Sequence, residues 1–430
     1  MSWVELVYDP NVQWVLGGTA LLSVGAGITG VYTFLRKRAL VGDAIAHSIL
    51  PGVCAGFMVS GQKDPLYLMI GALVAGWLAL LFMDLVLAKT KLKPDTVTAL
   101  VLSFFFAVGI VMLTRIQHGG AGSQSGLEAF LFGQAAAMTS YDVYIYGSIA
   151  LVLILFVLLF YHQFRLVSFD RQYAAAIGLP VRFIEFVLSS MTVLAVASGI
   201  QAVGVVLMSA LLITPAAAAR FWTDKLSAML VVSALIAVVS SLSGTLISAQ
   251  SAGMPTGPWI IFCLTLIALG SVFFAPGKGM IGREWKAFRT RRRILGENIL
   301  KALYHLAESD GNFEKGRSEA EVLSIRSFRM EELRKGLRRL ERDGYLVLQN
   351  NHWHLSESGK SYSRRIVRFH RLWELYLSTR LNLRPDHVHE GAEAMEHLID
   401  TEIEALLLKE LGDVDFDPHA SPIPKNQGHE

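Results

Sequence analysis

The sequence predicts a polytopic α-helical membrane domain of about nine spans, followed by a soluble, mainly helical domain on the cytoplasmic side. Three observations carry that expectation. Apolar runs of roughly 20 residues, the length a helix needs to cross a hydrocarbon core, recur up to Pro276 and then stop. A composition that is 53% hydrophobic, with a mean hydropathy of +0.43, averages an apolar part with an ordinary one. Basic residues gather in alternate connections, which gives the spans a consistent orientation.

The apolar runs are 12–35, 39–60, 66–88, 96–115, 141–164, 181–200, 202–222, 225–249 and 257–275. The first is not read as a cleaved leader, because no basic segment precedes it and no small-residue cleavage pattern precedes the next span. Arg36, Lys37 and Arg38 follow the first run, and Lys89, Lys91 and Lys93 the third. Arg165, Arg171 and Arg182 surround the fifth-to-sixth connection, and Arg220 and Lys225 follow the seventh run. Segments 60–66 and 248–257 are nearly free of positive charge. With short basic loops retained in the cytoplasm, an odd number of spans puts the N-terminus outside and the tail inside. The two cysteines, Cys54 and Cys263, lie within apolar runs, where they act as small buried hydrophobes and offer no disulfide framework or thiolate metal site.

Ionisable groups inside apolar segments are costly and mark pathways, which singles out Asp43 and His47 in the second run. Four residues apart on a helix, they share one face, and imidazole with carboxylate suits divalent transition metals such as zinc, manganese or iron. The alternative is structural: Asp43 caps the helix and bonds His47, while Pro51-Gly52 supplies a kink. Between the fifth and sixth spans, Asp170 to Pro180 has an N-cap, the alanine run Ala174-Ala175-Ala176, Gly178 as C-cap and Pro180 as a stop. Such a short helix on the cytoplasmic side is shaped to seat in a groove of a partner, although any connector can form one turn. No G-x-x-x-x-G-K-[ST] stretch occurs, so nucleotide phosphates are not cradled in that way and ATP, if used, is hydrolysed by another subunit.

Beyond Gly277 the chain turns charged, with about 26 basic against about 25 acidic residues, less basic than a dedicated nucleic-acid binder. Helices are expected over 298–308, 317–324 and from Met330, whose Met330, Leu333, Leu337 and Leu340 recur at helical spacing before Gly344 ends the element. Tyr345 to Gln349, the turn Asn350-Asn351 and His352 to Leu355 read as a hairpin. Three helices and a hairpin make a winged helix. A long helix over 358–381 and another from about Asp386 follow. Nine of the twelve histidines fall in this tail. His370 and Glu374 are four apart; His389, Glu393 and His397 stand at i, i+4 and i+8 with Glu396 beside them. Brought together, they form a plausible set for Mn(II) or Fe(II); a charged, solvated face is the other reading.

The stretch Leu35 to Gly52, with Arg36-Lys37-Arg38 and Gly42-Asp43-Ala44-Ile45-Ala46-His47-Ser48-Ile49-Leu50-Pro51-Gly52, resembles permease subunits of metal-cation ABC importers, the zinc, manganese and iron uptake family. Leu127 to Gly133, Ala174 to Pro180 and Val203 to Pro215 are similar to further segments of that family, and the resemblance covers residues 12–275. It implies that Asp43 and His47 line or gate the metal path and that Ala174, Ala175, Gly178 and Pro180 belong to an ATPase-coupling helix. It also implies an ATP-binding subunit, an extracytoplasmic metal-binding protein and a second permease as partners.

The tail, from Gly336 to Leu346, His370 to Glu374, Val388 to His397 and Asp417 to Pro424, resembles the diphtheria-toxin-repressor family of metal-dependent regulators over about 295–424. That resemblance implies that His370, Glu374, His389, Glu393, Glu396 and His397 bind a regulatory metal, with manganese favoured by a carboxylate rather than a cysteine at Glu393. Where the family's first helix supplies ligands, this chain has Asn298 and Lys301, and a protonated lysine offers no acceptor. One of two sites is then incomplete, and DNA binding is a secondary expectation.

Four regions are therefore expected: 1–276, a transmembrane permease domain; 277–292, a basic linker; 293–355, a winged helix; and 356–430, a helical metal-sensing and dimerisation-like domain. The expected function is the permease subunit of an ATP-driven divalent metal importer in a bacterial plasma membrane, carrying manganese or else zinc or iron. Divalent metal is its substrate and its regulator through the tail. The alternatives are a membrane-tethered metal-dependent transcription regulator and an ATP-independent metal transporter.

Overall fold

The computed structural model describes residues 8–62, 64–118, 133, 135–250, 254–380, 401–412, 414–419 and 421–424. The chain divides into two compact units, Met1–Arg283 and Glu284–Glu430.

The first unit is all helical among the described residues. Its elements are α1 (Pro10–Leu35), α2 (Ala39–Ser48), α3 (Leu50–Ser60), α4 (Pro65–Lys89), α5 (Pro94–His118), α6 (Ser140–Leu159), α7 (Tyr161–Phe169), α8 (Arg171–Ala176), α9 (Val181–Val203), α10 (Val205–Trp222), α11 (Leu226–Ser248) and α12 (Thr256–Phe274). Among the described residues eight stretches are long and apolar enough to cross a membrane, counting α2 and α3 as one. The ninth expected span, 202–222, is the shorter α10, whose apolar part covers Leu207–Trp222. Its start is set by Gly204, which at φ 84° leaves a single residue between α9 and α10; only glycine takes that conformation at little cost.

α1 forms the centre of this bundle, packing on α6, α9, α10 and α11. Its contacts include polar ones: Thr19 meets Thr245 at 3.3 Å, Thr33 meets Thr192 at 3.3 Å, and the Ser233 hydroxyl donates to the Gly27 carbonyl at 2.8 Å. With no hydrophobic drive between helices in lipid, such bonds and small-residue contacts hold a bundle together. The α3–α4 crossing uses the second device. A Cβ at Gly52 would collide with the Gly71 carbonyl, and one at Gly71 with the Gly52 carbonyl. The α2–α3 stretch is 72% buried, against 22% for α6, so the peripheral helices shield it.

In the second unit, α13 (Met280–Asp310), which begins in the first, runs much further than the helix expected over 298–308. The stretch expected as a basic linker is helical from Met280 onward. Next come α14 (Glu319–Ile325), with Ser318 and Glu321 forming a capping box, and α15 (Met330–Arg342). β1 (Leu346–Gln349) pairs antiparallel with β2 (His352–Leu355) in the register Leu346↔Leu355 and Gln349↔His352. Asn350 and Asn351, at φ 49° and 63°, make the tight turn that asparagine tolerates best among non-glycine residues. An isolated bridge between Arg317 and Trp353 adds a third short edge. The core joins Ile299, Leu300, Leu303 and Leu306 of α13 to Val322, Leu333, Leu337, Leu340, Trp353 and Ile366. α16 (Glu357–Arg380) and α17 (Thr401–Leu411) pack together and, with Ile423, enclose a smaller cluster around Leu372 and Leu407.

Candidate functional sites

The Asp43–His47 pair sits one and two turns into α2. His47 Nε2 lies 3.7 Å from Asp43 Oδ1, with the side chains 27% and 40% exposed respectively. The other ring nitrogen, Nδ1, is buried without a hydrogen-bond partner, and the ring meets the edge of Phe106 on α5 with centroids 5.3 Å apart. Two features aim the pair. A Cβ at Gly42 would clash with Leu212 of α10, so α2 lies close to that helix. The helical ladder is interrupted around Ile49: Pro51 has no N–H to offer the His47 carbonyl, and the Gly52 N–H reaches back only three residues to the Ile49 carbonyl at 3.0 Å. A carboxylate and a histidine half-exposed beside a helix discontinuity can offer oxygen and nitrogen lone pairs to a passing divalent cation.

At the end of α1 that the basic loops mark as cytoplasmic, a second group of charges links three elements. Arg36 lies 3.9 Å from Glu185 of α9, and Arg171 of α8 bonds the same carboxylate at 3.1 Å. Asp170 caps α8 by accepting the Tyr173 N–H at 2.8 Å, and Gly178, at φ 87°, ends the turn. Ala174 is fully buried, while Ala175, Gly178 and Pro180 are exposed; Tyr173 and Ile177 are about half exposed. Beside this short helix a hollow of about 540 Å³ is lined by Tyr161, Arg165, Phe169, Asp170, Asp224 and Lys225. Sequence reasoning marked α8 but missed Glu185. Its only signal was a lone acid near the start of an apolar run that faces two basic clusters.

In the second unit, His370 and Glu374 are 4% and 1% exposed, with Nε2 and Oε1 3.1 Å apart. They line a cavity of about 910 Å³ together with Asn298, Lys301, His305, Glu308, Asp417 and His419. His389, Glu393, Glu396 and His397 lie outside the described residues, as does most of 127–133. Among the described residues no group of three His, Cys, Asp or Glu side chains is arranged to hold a metal ion. The fit to a regulatory metal is therefore mixed. Asn298 Oδ1 is buried without a hydrogen-bond partner, a lone pair open to a hard cation. Lys301, 7% exposed in the same cavity, brings a competing positive charge.

Arg371 organises the far wall of that cavity. It grips Glu308 through two bonds of 2.9 and 2.7 Å, donates to the Pro422 carbonyl at 2.6 Å and faces Asp417 at 3.5 Å. Burial raises the Glu308 pKa, yet the Arg371 hydrogen bonds more than offset this and hold it below the ordinary value. Burial, with the charge of Lys301 and Arg371, pushes His305 down, so the neutral imidazole is favoured. Sequence reasoning missed His305, although it follows Lys301 by one helical turn.

Comparisons with known proteins agree with this layout. The family model of the ABC 3 transport family matches residues 8–275. A second family model, the iron dependent repressor, metal binding and dimerisation domain, matches residues 356–425. The manganese transport system membrane protein MntC of Bacillus subtilis is 40% identical over 385 residues, 89% of this chain and 87% of that protein. The zinc transport system membrane protein TroC of Treponema pallidum is 38% identical over 291 residues, 68% of this chain and 96% of that protein. Among solved structures, PsaBC from Streptococcus pneumoniae in complex with Fab superposes with a TM-score of 0.58 at 30% identity, covering 64% of this chain and 96% of that one.

Proposed function

The chain belongs to the ABC 3 transport family, and from that premise we propose that it carries manganese across the bacterial inner membrane. It is the multi-pass permease subunit of an ATP-driven divalent metal transporter, with ATP hydrolysis assigned to a separate subunit and a metal-dependent repressor domain fused at its C-terminus. The observation that carries the manganese reading is the likeness to the manganese protein of Bacillus subtilis across both units.

In this reading Asp43 and His47 form a transient way-station. Their oxygen and nitrogen donors replace part of the ion's hydration, and two ligands bind weakly enough to release it. α8 is the docking element for the ATPase, inserting its exposed Ala175 and Ile177 side. Motion of α8 reaches the pair through Arg171, Glu185 and Arg36, since Arg36 lies only three residues before α2 begins. An extracytoplasmic metal-binding protein delivers the ion, and a second permease completes the pathway. In the tail, His370, Glu374, His389, Glu393, Glu396 and His397 form the regulatory metal set.

The test is uptake of radioactive manganese in cells lacking their own importers. Transport that requires co-expression of an ATP-binding subunit and an external binding protein supports the assignment. Transport by this chain alone, dissipated by an ionophore, would assign it to secondary transport instead. Zinc accumulated in preference to manganese would reassign the substrate.

A further inference from the structure

One apolar stripe runs the length of α13, and only half of it is covered. Ile281, Trp285, Phe288, Leu295, Ile299 and Leu306 fall on one helical face by their spacing. From Ile299 onward this face is buried in the winged-helix core. Before it, Ile281, Trp285 and Phe288 are 51%, 63% and 48% exposed, although nothing in a soluble helix calls for three large apolar side chains in a row on water.

By helical spacing Arg289 and Arg291 flank the exposed half and Arg292 lies within it, while Arg283, Lys286 and Arg293 fall farther round the helix. Residues 283–293 hold six basic side chains and one acid, Glu284. Arg293 pairs with Glu297 at 3.7 Å; Arg283, Lys286, Arg289, Arg291 and Arg292 make no ion pair among the described residues. Two of these cations lie against the stripe, Arg289 over Trp285 at 4.8 Å and Arg292 over Phe288 at 4.2 Å from the ring centroids.

Position decides what covers such a face. α12 ends at Phe274 and α13 begins at Met280, and the turn between them is tight, with the Gly279 N–H on the Ala275 carbonyl at 2.8 Å. Lys278 anchors that turn to Asp224 at 2.5 Å, just beyond the end of α10. The helix therefore starts at the membrane rim. Aromatic side chains flanked by arginine and lysine are what the headgroup region of a bilayer accepts, and clustered cations next to a span are drawn to anionic lipid.

We propose that residues 280–293 form an interfacial helix that binds the anionic phospholipid headgroups of the cytoplasmic leaflet, inserting Ile281, Trp285 and Phe288. A nucleic acid is the other polyanion to consider. The apolar stripe between the cations disfavours it, because phosphate contacts leave such side chains in water.

The experiment uses the full chain in vesicles, with single spin labels at Ile281→Cys, on the stripe, and Thr290→Cys, on the opposite face. The native thiols are buried, and their background is measured on the parent chain. In phosphatidylglycerol vesicles the label at 281 is expected to be shielded from a water-soluble nickel relaxant and open to oxygen, and the label at 290 the reverse. Replacing Arg289, Arg291 and Arg292 together by Gln, or moving to phosphatidylcholine, is expected to lower the protection at 281 about tenfold. Equal nickel access at both positions in anionic vesicles overturns the proposal. So does protection that is the same in phosphatidylcholine or in detergent, which assigns the stripe to a protein surface. So does protection that appears only when a DNA duplex is added.

Discussion

His47 holds one ring nitrogen 3.7 Å from a carboxylate and buries the other without a partner. A histidine kept only for structure would satisfy both, because an unmade bond in a buried place costs about 1 to 3 kcal/mol. The expected consequence is that His47→Ala and Asp43→Asn each lower manganese uptake by about 10- to 100-fold while the transporter still assembles. Uptake within twofold of the parent would leave the pair a structural role only, and not as a cap, since Asp43 lies inside α2, whose N-cap is Arg38. In the tail, Glu308 bears the same kind of test for stability. Its folded pKa lies below its unfolded one, so its stabilisation is fully present above about pH 4.5 and is lost as pH falls through the lower folded value. The groups facing it are Arg371, His305 and Tyr304, with Asp417 on the far side of Arg371. Glu308→Gln is expected to cost about 1 to 2 kcal/mol, discounted for partial exposure, and to flatten that acid dependence. Hydrogen exchange over 295–380 in the full chain measures both.

Among the elements, α8 is tied to the end of α1 through one carboxylate of α9, Glu185, shared between Arg171 and Arg36. If α8 transmits the ATPase stroke, Glu185→Gln is expected to leave ATP hydrolysis by the assembled transporter within about twofold of the parent and to reduce uptake per ATP about tenfold. Ala175→Glu, on the exposed side of α8, is expected instead to prevent co-purification of the ATPase subunit. Equal coupling ratios in the Glu185 variant would remove the relay. The sequence made α8 legible because its signals are local: a capping acid, alanines, a glycine with positive φ and a proline. Span lengths were legible for the same reason, since a run of apolar residues is counted without knowing its neighbours. Glu185 was not, because its meaning depends on two arginines brought close only by packing. The length of α13 was missed because its first half is so charged that composition reads as linker, and only the positions of Ile281, Trp285 and Phe288 betray the helix. The start of α10 was misplaced by three residues because Gly204 turns the chain at a single position, where hydropathy shows no loop.

For the whole molecule, a metal-dependent repressor domain fused to a permease matters only if metal binding in the tail favours one transport state over another. A ligand that binds all states equally shifts nothing, however tight it is. His370 and Glu374 are buried on α16, and Lys301 of α13 lies in the same cavity, so filling this site means either displacing an ammonium or sharing a cavity with it. Both tie metal occupancy to the arrangement of α13, the element that also continues from the last span. Manganese in the tail is therefore expected to lower uptake when internal manganese is high, by about 5-fold or more for a coupling of ~1 kcal/mol or above. Truncation after Arg293, which leaves residues 280–293 in place, is expected to abolish that inhibition while preserving uptake at low internal manganese. His370→Ala in the full chain is expected to do the same without removing the domain, which separates loss of metal from loss of mass. Inhibition that persists unchanged in both variants places feedback elsewhere in the transporter and leaves the tail without a role in transport control.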